Sequence, residues 1–499
     1  MNRSNQELTH RSKAAGSDFL QLEMGQAGTE ALSAWLAQRI RSAIAQGHLP
    51  VGSRLPPSRA LASELRVSRG VVTEAYRRLI DDGHLAGRGR AGTIVLRAPI
   101  NAPPQTGPAT GKKGPSFARA RDLFKAEPGP EVFEWFHGLP AAFNLAPGVP
   151  DLGAFPRAAW LRAERQVLKE LPASALGYGD PRGAPPLRTA VANWLARNRG
   201  IPVSPGDVVV VAGVAQGLAL LAEVLRRAGL DRIAVEDPGS LGARQLLQTW
   251  GAGTPPVAVD AAGLSVSALE ATASRAVLVT PAHQFPMGVV LDGERRRQLL
   301  AWSVGGGLII EDDYDAEHRY DRAPVPALRS LCPDGVFYLG SVSKLLAPAL
   351  RIGWLISPPR YQRALVTIKR DSDLGNAVLP QLVMARLMEE GQLERHLRAL
   401  RRHHRTRRDA MLRALAVHLP GAVVHGAAAG LHLTVTFASA IDDTDLAAAA
   451  FEDGVKVQPL SWHRQSPGPP GLVLGYAAST PDAISAGVAI LRKAFRRCS

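Results

Sequence analysis

Leu32, Leu36, Ile40 and Ile44 recur every fourth residue, which predicts a helix with one apolar face. Gly47-His48-Leu49-Pro50-Val51-Gly52 interrupts the pattern. A short helix follows from Ser58 through Leu65, and Val67-Ser68 opens a third, with Ser68 as its N-cap. In that helix Val72, Tyr76 and Leu79 share the inward face, while Arg69, Thr73 and Arg77 point elsewhere. Gly83-His84-Leu85 and the run from Gly87 to Val95 then read as a two-stranded wing whose flexible tip carries Arg88 and Arg90. Residues 29–97 thus make a compact module. The polar stretch before it, 1–28, reads as disordered. After it, Pro99, Pro103, Pro104, Pro108 and Pro115 with Gly107, Gly111 and Gly114 predict a linker over 98–142 without helix or sheet. Its second half, Val132–Phe136, is apolar enough to dock on the large domain.

From Asn144 onward the period changes. Val208–Ala212, Ile233–Glu236, Ala276–Thr280, Gly307–Glu311 and Val336–Leu339 are short buried-strand candidates, with helical stretches such as Gln216–Arg227 between them. That alternation predicts a mostly parallel sheet with crossover helices. After Pro358 long helices, then Leu431–Phe437 and Leu472–Tyr476 as strands, predict a smaller lobe from about residue 358. The fold class is α/β, with a helical N-terminal module, a Pro/Gly-rich linker and a large domain over 143–499.

A chain of 499 residues is too long for one core. Its net charge of +15 invites a polyanionic partner, nucleic acid first. Part of that charge sits in the Arg-rich stretch 395–413, which reads, with His403 and His404, as a solvated helix face. No apolar run approaches the roughly 18–20 residues of a membrane span, and Asn5-Gln6-Glu7 lies where a signal peptide would be apolar. Cys332 and Cys498, far apart and without a His or CxxC partner, point away from a disulfide framework or metal site and toward a reducing cytoplasm.

The chemistry collects at strand ends. Ile309-Ile310-Glu311-Asp312-Asp313-Tyr314 ends an apolar run in acid and a phenol, and Tyr338-Leu339-Gly340-Ser341-Val342-Ser343-Lys344 ends another in hydroxyls and an amine. These are the parts of a pyridoxal phosphate site. Asp312 would hold the ring nitrogen protonated, Tyr314 would hydrogen-bond the ring phenolate, and Lys344 would form the Schiff base. Lys344 alone would read as a surface lysine; the set around it carries the assignment. Ala212–Leu220, with Ala215 and Gln216, lies at a strand-to-helix junction where backbone N–H groups and the helix dipole suit a phosphate. Ser341, Ser343 and Arg351 complete that cup. Glu236–Gly239 and Thr280–Gly288 are further strand-end loops, the second placing His283 as either a cofactor contact or a satisfied loop histidine. Glu311 and Asp313 read as residues that cap or orient the strand end.

The string Gly52-Ser53-Arg54-Leu55-Pro56-Pro57-Ser58-Arg59 through Val67-Ser68-Arg69, Ala75-Tyr76-Arg77-Arg78-Leu79 and Gly92-Thr93 resembles the winged helix-turn-helix of the GntR family. The resemblance implies that the third helix enters the major groove of duplex DNA. Ser68, Arg69 and Thr73 would then face bases and phosphates, and Arg59, Arg88 and Arg90 the backbone or minor groove. From Asn144 the chain resembles the fold-type I aminotransferases, in Tyr178-Gly179-Asp180-Pro181-Arg182-Gly183 and in the Lys344 cluster. His283-Gln284-Phe285-Pro286 resembles the corresponding loop of the MocR-type regulators, which join the two kinds of domain. That resemblance implies a cytoplasmic regulator of transcription that senses pyridoxal phosphate or a small amine. It also implies a homodimer, head-to-tail, reading two promoter half-sites. An active aminotransferase with an accessory DNA-binding head is the alternative. Two departures stand out. Ser240 occupies the place where the group has a Tyr, and no Arg lies in Leu472–Tyr476, where aminotransferases carry one for the substrate carboxylate.

Overall fold

A computed structural model describes residues 32–45, 49, 51–87, 92–96, 122–320, 326–438 and 441–498. The chain forms two compact units that divide between residues 111 and 112.

The first unit holds helices α1 (Leu32–Ala45), α2 (Ser58–Glu64) and α3 (Arg69–Asp81), then strands β1 (Leu85–Gly87) and β2 (Thr93–Val95). Leu36, Ile40 and Ile44 of α1 pack with Leu61, Val72, Tyr76, Leu79, Leu85 and Val95 in one core. Leu32, the first residue of the predicted stripe, stays 38% exposed, because the first turn of α1 overhangs that core. β1 and β2 pair antiparallel with Leu85 opposite Val95. Ser68 stands at the N-cap of α3, yet its side chain makes no capping hydrogen bond. That leaves the hydroxyl exposed at the helix start.

In the second unit the central sheet has eight strands. In chain order they are β3 (Val208–Val211), β4 (Ile233–Asp237), β5 (Pro256–Asp260), β6 (Gly263–Leu264), β7 (Ala276–Val279), β8 (Leu308–Asp313), β9 (Val336–Ser341) and β10 (Gly353–Ile356). Across the sheet the order is β3-β10-β9-β8-β7-β4-β5-β6. The pairs β4–β5, β4–β7, β7–β8 and β8–β9 are parallel, and β10 runs against both its neighbours. The sequence pattern predicts five of these strands. The other three carry Pro256, Gly263 and Gly353 at their starts, which weakens the strand signal. Parallel register sets Leu339 beside Asp312 and Gly340 beside Asp313, so the ends of β8 and β9 open at one point.

A smaller antiparallel sheet contains β11 (Val423–His425), β12 (His432–Thr436), β13 (Gln458–Pro459) and β14 (Gly471–Gly475). Its core takes in Phe124, Val132, Phe136 and Leu145 from the start of the unit. Residues 132–138, expected as part of an unstructured linker, are a helix, α4. No proline falls inside it, and Val132, Phe136 and Leu139 repeat at helical spacing against the core. The docking expected of Val132–Phe136 is what packs it there. The smaller lobe does not begin at 358: Leu365 and Ile368 belong to the core of the large sheet. Within α8 (Gln392–His418), His404 and Arg407 are buried, against the expectation of a solvated face. The His404 ring meets His318 edge-on at 4.9 Å, because this helix packs along both lobes and only part of its surface reaches water.

Candidate functional site

On the first unit, Ser68, Arg69 and Thr73 lie exposed at the start of α3, opposite its buried Val72 and Tyr76. Arg59 is exposed on α2, and the Arg69 Nε lies 3.5 Å from the Ser58 hydroxyl, which brings the two helices' polar ends together. Arg77 is held by Glu74 at 2.7 Å and Asp81 at 2.8 Å, so it is engaged along its own helix. Arg88 and Arg90, expected at the wing tip, lie outside the described residues.

On the second unit, a cleft of about 370 Å³ opens at the carboxyl ends of β8 and β9. Strand alternation sorts the acids of β8. Glu311 accepts the Leu328 and Arg329 backbone N–H groups at 2.9 and 3.0 Å. Asp313 accepts from Arg199 at 2.5 Å and from the Tyr338 hydroxyl at 2.6 Å. Asp312, on the opposite face, lines the cleft together with Tyr314, Ser341, Ser343, Lys344 and Arg351.

The Asp312 Oδ1 atom is buried and has no hydrogen-bond partner. Burial, with Asp313 and Asp315 close by, raises this carboxyl from 3.8 to about 7, and Lys344 opposes the rise. Burial likewise lowers the Lys344 ammonium, against Asp312 and Asp315. Lys344 Nζ donates to the Gly148 carbonyl at 2.5 Å. Gly148 has φ +83°, and a Cβ there would stand 3.4 Å from that amine. A carboxyl raised in the folded state makes the ligand-free protein fully stable against this term only below 3.8, and the stability is lost as pH rises through about 7. Asp312→Asn removes the titration. It should therefore stabilise the ligand-free protein by about 1–3 kcal/mol at pH 8 and by less at pH 5, read from urea midpoints. An effect that does not change with pH would remove the raised carboxyl.

The phosphate-suited end is built by helix α6 (Gly213–Arg227) and Arg351. Arg351 adopts φ +51° and donates through its guanidinium to the Ala212 carbonyl at 2.5 Å, beside the first turn of α6. Gly213 has φ +78°, and a Cβ there would meet that guanidinium at 3.2 Å. Ala215 lines the same end. Gln216 does not: its side chain accepts the Ala212 N–H at 2.8 Å and donates to Asp373 at 2.7 Å, pinning the helix start from behind.

His283 is likewise not on the cleft wall. It lies behind Tyr314, with Nδ1 2.8 Å from Asp315 and 3.1 Å from the Tyr314 hydroxyl. The same hydroxyl donates to the His283 carbonyl at 3.0 Å. Burial pushes the phenol well above its usual range, so Tyr314 stays protonated. Among the described residues, His283, Asp315 and His432 bring possible metal-ligating atoms within 4.8 Å of one another. Hydrogen bonds already engage them, His432 through Nε2 to the Pro286 carbonyl at 3.0 Å.

Several lining residues carried no signal of their own. Phe133 and His137 reach the cleft from α4. Lys456 fastens that helix end, donating to the Phe136 and Leu139 carbonyls at 3.1 and 2.8 Å. Gln245 holds its start through Pro128 at 2.6 Å. Ser240 caps the helix α7 (Leu241–Thr249) through the Ala243 N–H at 3.3 Å and also lines the cleft. Its neighbours on the wall include Phe133 and Phe285, the aromatic side chains present where the resemblance leaves a Tyr missing.

Residues 141–484 match the profile of the aminotransferase class I and II family, and residues 32–95 that of the bacterial regulatory proteins of the gntR family. The chain is 33% identical to the probable rhizopine catabolism regulatory protein MocR of Rhizobium meliloti, over 92% of this chain and 93% of that protein. It is 32% identical to the HTH-type pyridoxine biosynthesis transcriptional regulator PdxR of Corynebacterium glutamicum, over 90% and 92%. Among solved structures, Pyrococcus horikoshii kynurenine aminotransferase in complex with PMP superposes with a TM-score of 0.67 at 28% identity, over 74% of this chain and 93% of that one. LysN, the alpha-aminoadipate aminotransferase of Thermus thermophilus complexed with N-(5'-phosphopyridoxyl)-L-leucine, gives 0.67 at 27% identity, over 76% and 97%.

Proposed function

This chain belongs to the MocR-type subfamily of gntR transcriptional regulators, and we propose that its DNA binding answers to pyridoxal phosphate and to a small amine held beside it. It is a DNA-binding regulator with an aminotransferase-like cofactor unit. The observation that carries the effector reading is the convergence of Asp312, Lys344 and Arg351 on one cleft in a chain whose other unit reads DNA.

The residues present fit the cofactor. Asp312 Oδ1 lacks a partner, which a protonated ring nitrogen supplies. Lys344 is an amine lowered toward its nucleophilic form. Arg351, the first turn of α6 and the Ser341 and Ser343 hydroxyls receive the phosphate, with Gly213 keeping the approach open. Tyr314, kept protonated, would turn its one hydroxyl proton from the His283 carbonyl to the ring oxygen. When bound, pyridoxal phosphate supplies a carbonyl that takes up primary amines and a ring that withdraws electrons from them. Phe133 and His137, on the helix after the linker, contribute to the wall, so an occupant of the cleft touches the segment leading to the reader. Ligand changes the DNA-binding state only by fitting one arrangement better than another.

A homodimer, head-to-tail, is the assembly we assign. Tyr178, 95% exposed, lines one groove with the exposed Leu176 and Leu374, apolar surface that a second copy would cover. No helix among the described residues is long and apolar enough to cross a membrane. With duplex DNA as partner, the cytoplasm is the compartment.

The reading is tested by footprinting full-length protein on its promoter with and without pyridoxal phosphate and amine. Two half-sites should be protected, and the pattern should change with ligand. Arg69→Ala should cost about 1–3 kcal/mol of DNA affinity and relax sequence preference at one position, as for a base contact. A ligand-independent footprint joined to steady-state transamination would favour the enzyme alternative.

A further inference from the structure

We propose that the molecule this cleft admits beside the cofactor is a primary amine bearing no carboxylate or other acidic group; the inference rests on the reading of the cleft as a pyridoxal phosphate site. Among the described lining residues, Lys344 and Arg351 are the lysines and arginines, and both stand at the cofactor end. Lys344 lies beside Asp312 and the Gly148 carbonyl, and Arg351 is bound to the Ala212 carbonyl at the start of α6. A phosphate at α6 occupies Arg351, and the cofactor occupies Lys344.

The remaining basic side chains on the wall are His137, His432 and His463. Their rings are fixed by the protein. His432 Nε2 is 3.0 Å from the Pro286 carbonyl, and His463 Nε2 is 3.1 Å from the Gln458 side-chain oxygen. Burial holds His432 and His463 down at about 3, and His137, exposed on α4, is also shifted toward its neutral form. None of them supplies a resident cation.

The strand where the resemblance places the carboxylate-binding arginine of an aminotransferase carries no arginine. Leu472, Val473 and Leu474 of β14 are fully buried. At Gly475 a Cβ would fall 2.2 Å from the Ala146 carbonyl oxygen, because the chain entering the cleft through Pro147 and Gly148 runs across that position.

A carboxylate drawn into this cleft sheds water and finds no free cation among the described lining residues. With Asp312 taken by the ring nitrogen, an amine meets the rings of Phe133 and Phe285 on the wall. The far wall, with Leu431, Ser240 and Gln458, suits an uncharged body with apolar surface and a hydrogen-bonding group.

The test is an absorbance titration of full-length, cofactor-loaded protein with matched amines. 2-Phenylethylamine is set against phenylalanine, and 5-aminopentanamide against 5-aminopentanoate, which has the same size but carries a charge. In each pair the acid-free member should shift the cofactor spectrum at a concentration at least about tenfold lower, the ratio that 1.4 kcal/mol produces. Equal or tighter binding of either acid would overturn the proposal. So would an amide that binds as weakly as its acid, since size would then decide. A protein that shows no cofactor absorbance before any amine is added fails at the earlier reading, and this inference falls with it.

Discussion

Lys344→Ala should leave a folded protein that binds DNA, holds pyridoxal phosphate only non-covalently, and no longer changes its footprint when amine is added. The Lys344 side chain makes one hydrogen bond, to the Gly148 carbonyl, and lines an open cleft, so its loss creates no closed cavity in the core. The reader keeps its own core of α1–α3 and the wing, and nothing in that core depends on residue 344. What disappears is the amine that anchors the cofactor, along with the covalent exchange on which amine sensing relies. Borohydride reduction of the wild type followed by peptide mapping should recover the label on Lys344, and the variant should recover none. Label on another lysine would displace Lys344 from the centre of the cleft. A variant that still answers to amine would separate sensing from this residue altogether.

Much of the architecture was legible because two periods announce it. Leu36, Ile40 and Ile44 at helical spacing give α1, and apolar runs ending in acid or hydroxyl give β8 and β9, whose parallel register then brings Asp312 and Lys344 to one opening. The harder parts depend on contacts far apart in sequence. α4 reads as linker because prolines surround it; its helix is held by Lys456, more than three hundred positions later. His283 resembles a cofactor contact in a strand-end loop. Only the approach of Asp315 turns its ring inward, behind Tyr314. His404 lies in an arginine-rich stretch, and its burial depends on His318 from another segment. The absence of arginine from β14 was visible in the sequence.

Asp313→Leu should be the most destabilising single change near the site, at about 3–5 kcal/mol, because it breaks a buried ion pair by removing one partner. Arg199 and Asp313 side chains are each 1% exposed and meet at 2.5 Å. Tyr338, on the neighbouring strand, donates to the same carboxylate oxygen. Helix α5 (Pro185–Arg199) is thereby tied to the ends of β8 and β9 at the residue next to Asp312. Arg199→Met should be similarly costly, since it leaves the carboxylate unpaired. The double variant should recover most of the loss, because two apolar side chains of similar volume replace two charges that had to be desolvated. Trp194 and Trp354 are buried in the same core as Tyr338, with ring centroids 5.7 Å apart, and report on this region by fluorescence. That local probe matters in a two-unit chain, where one global midpoint is poorly defined. Costs that simply add in the double variant would mean that the ion pair is not coupled. Asp313→Leu should also weaken cofactor binding beyond its effect on stability, since the backbone that aims Asp312 into the cleft loses its anchor; an unchanged cofactor affinity in the folded variant would confine Asp313 to the core.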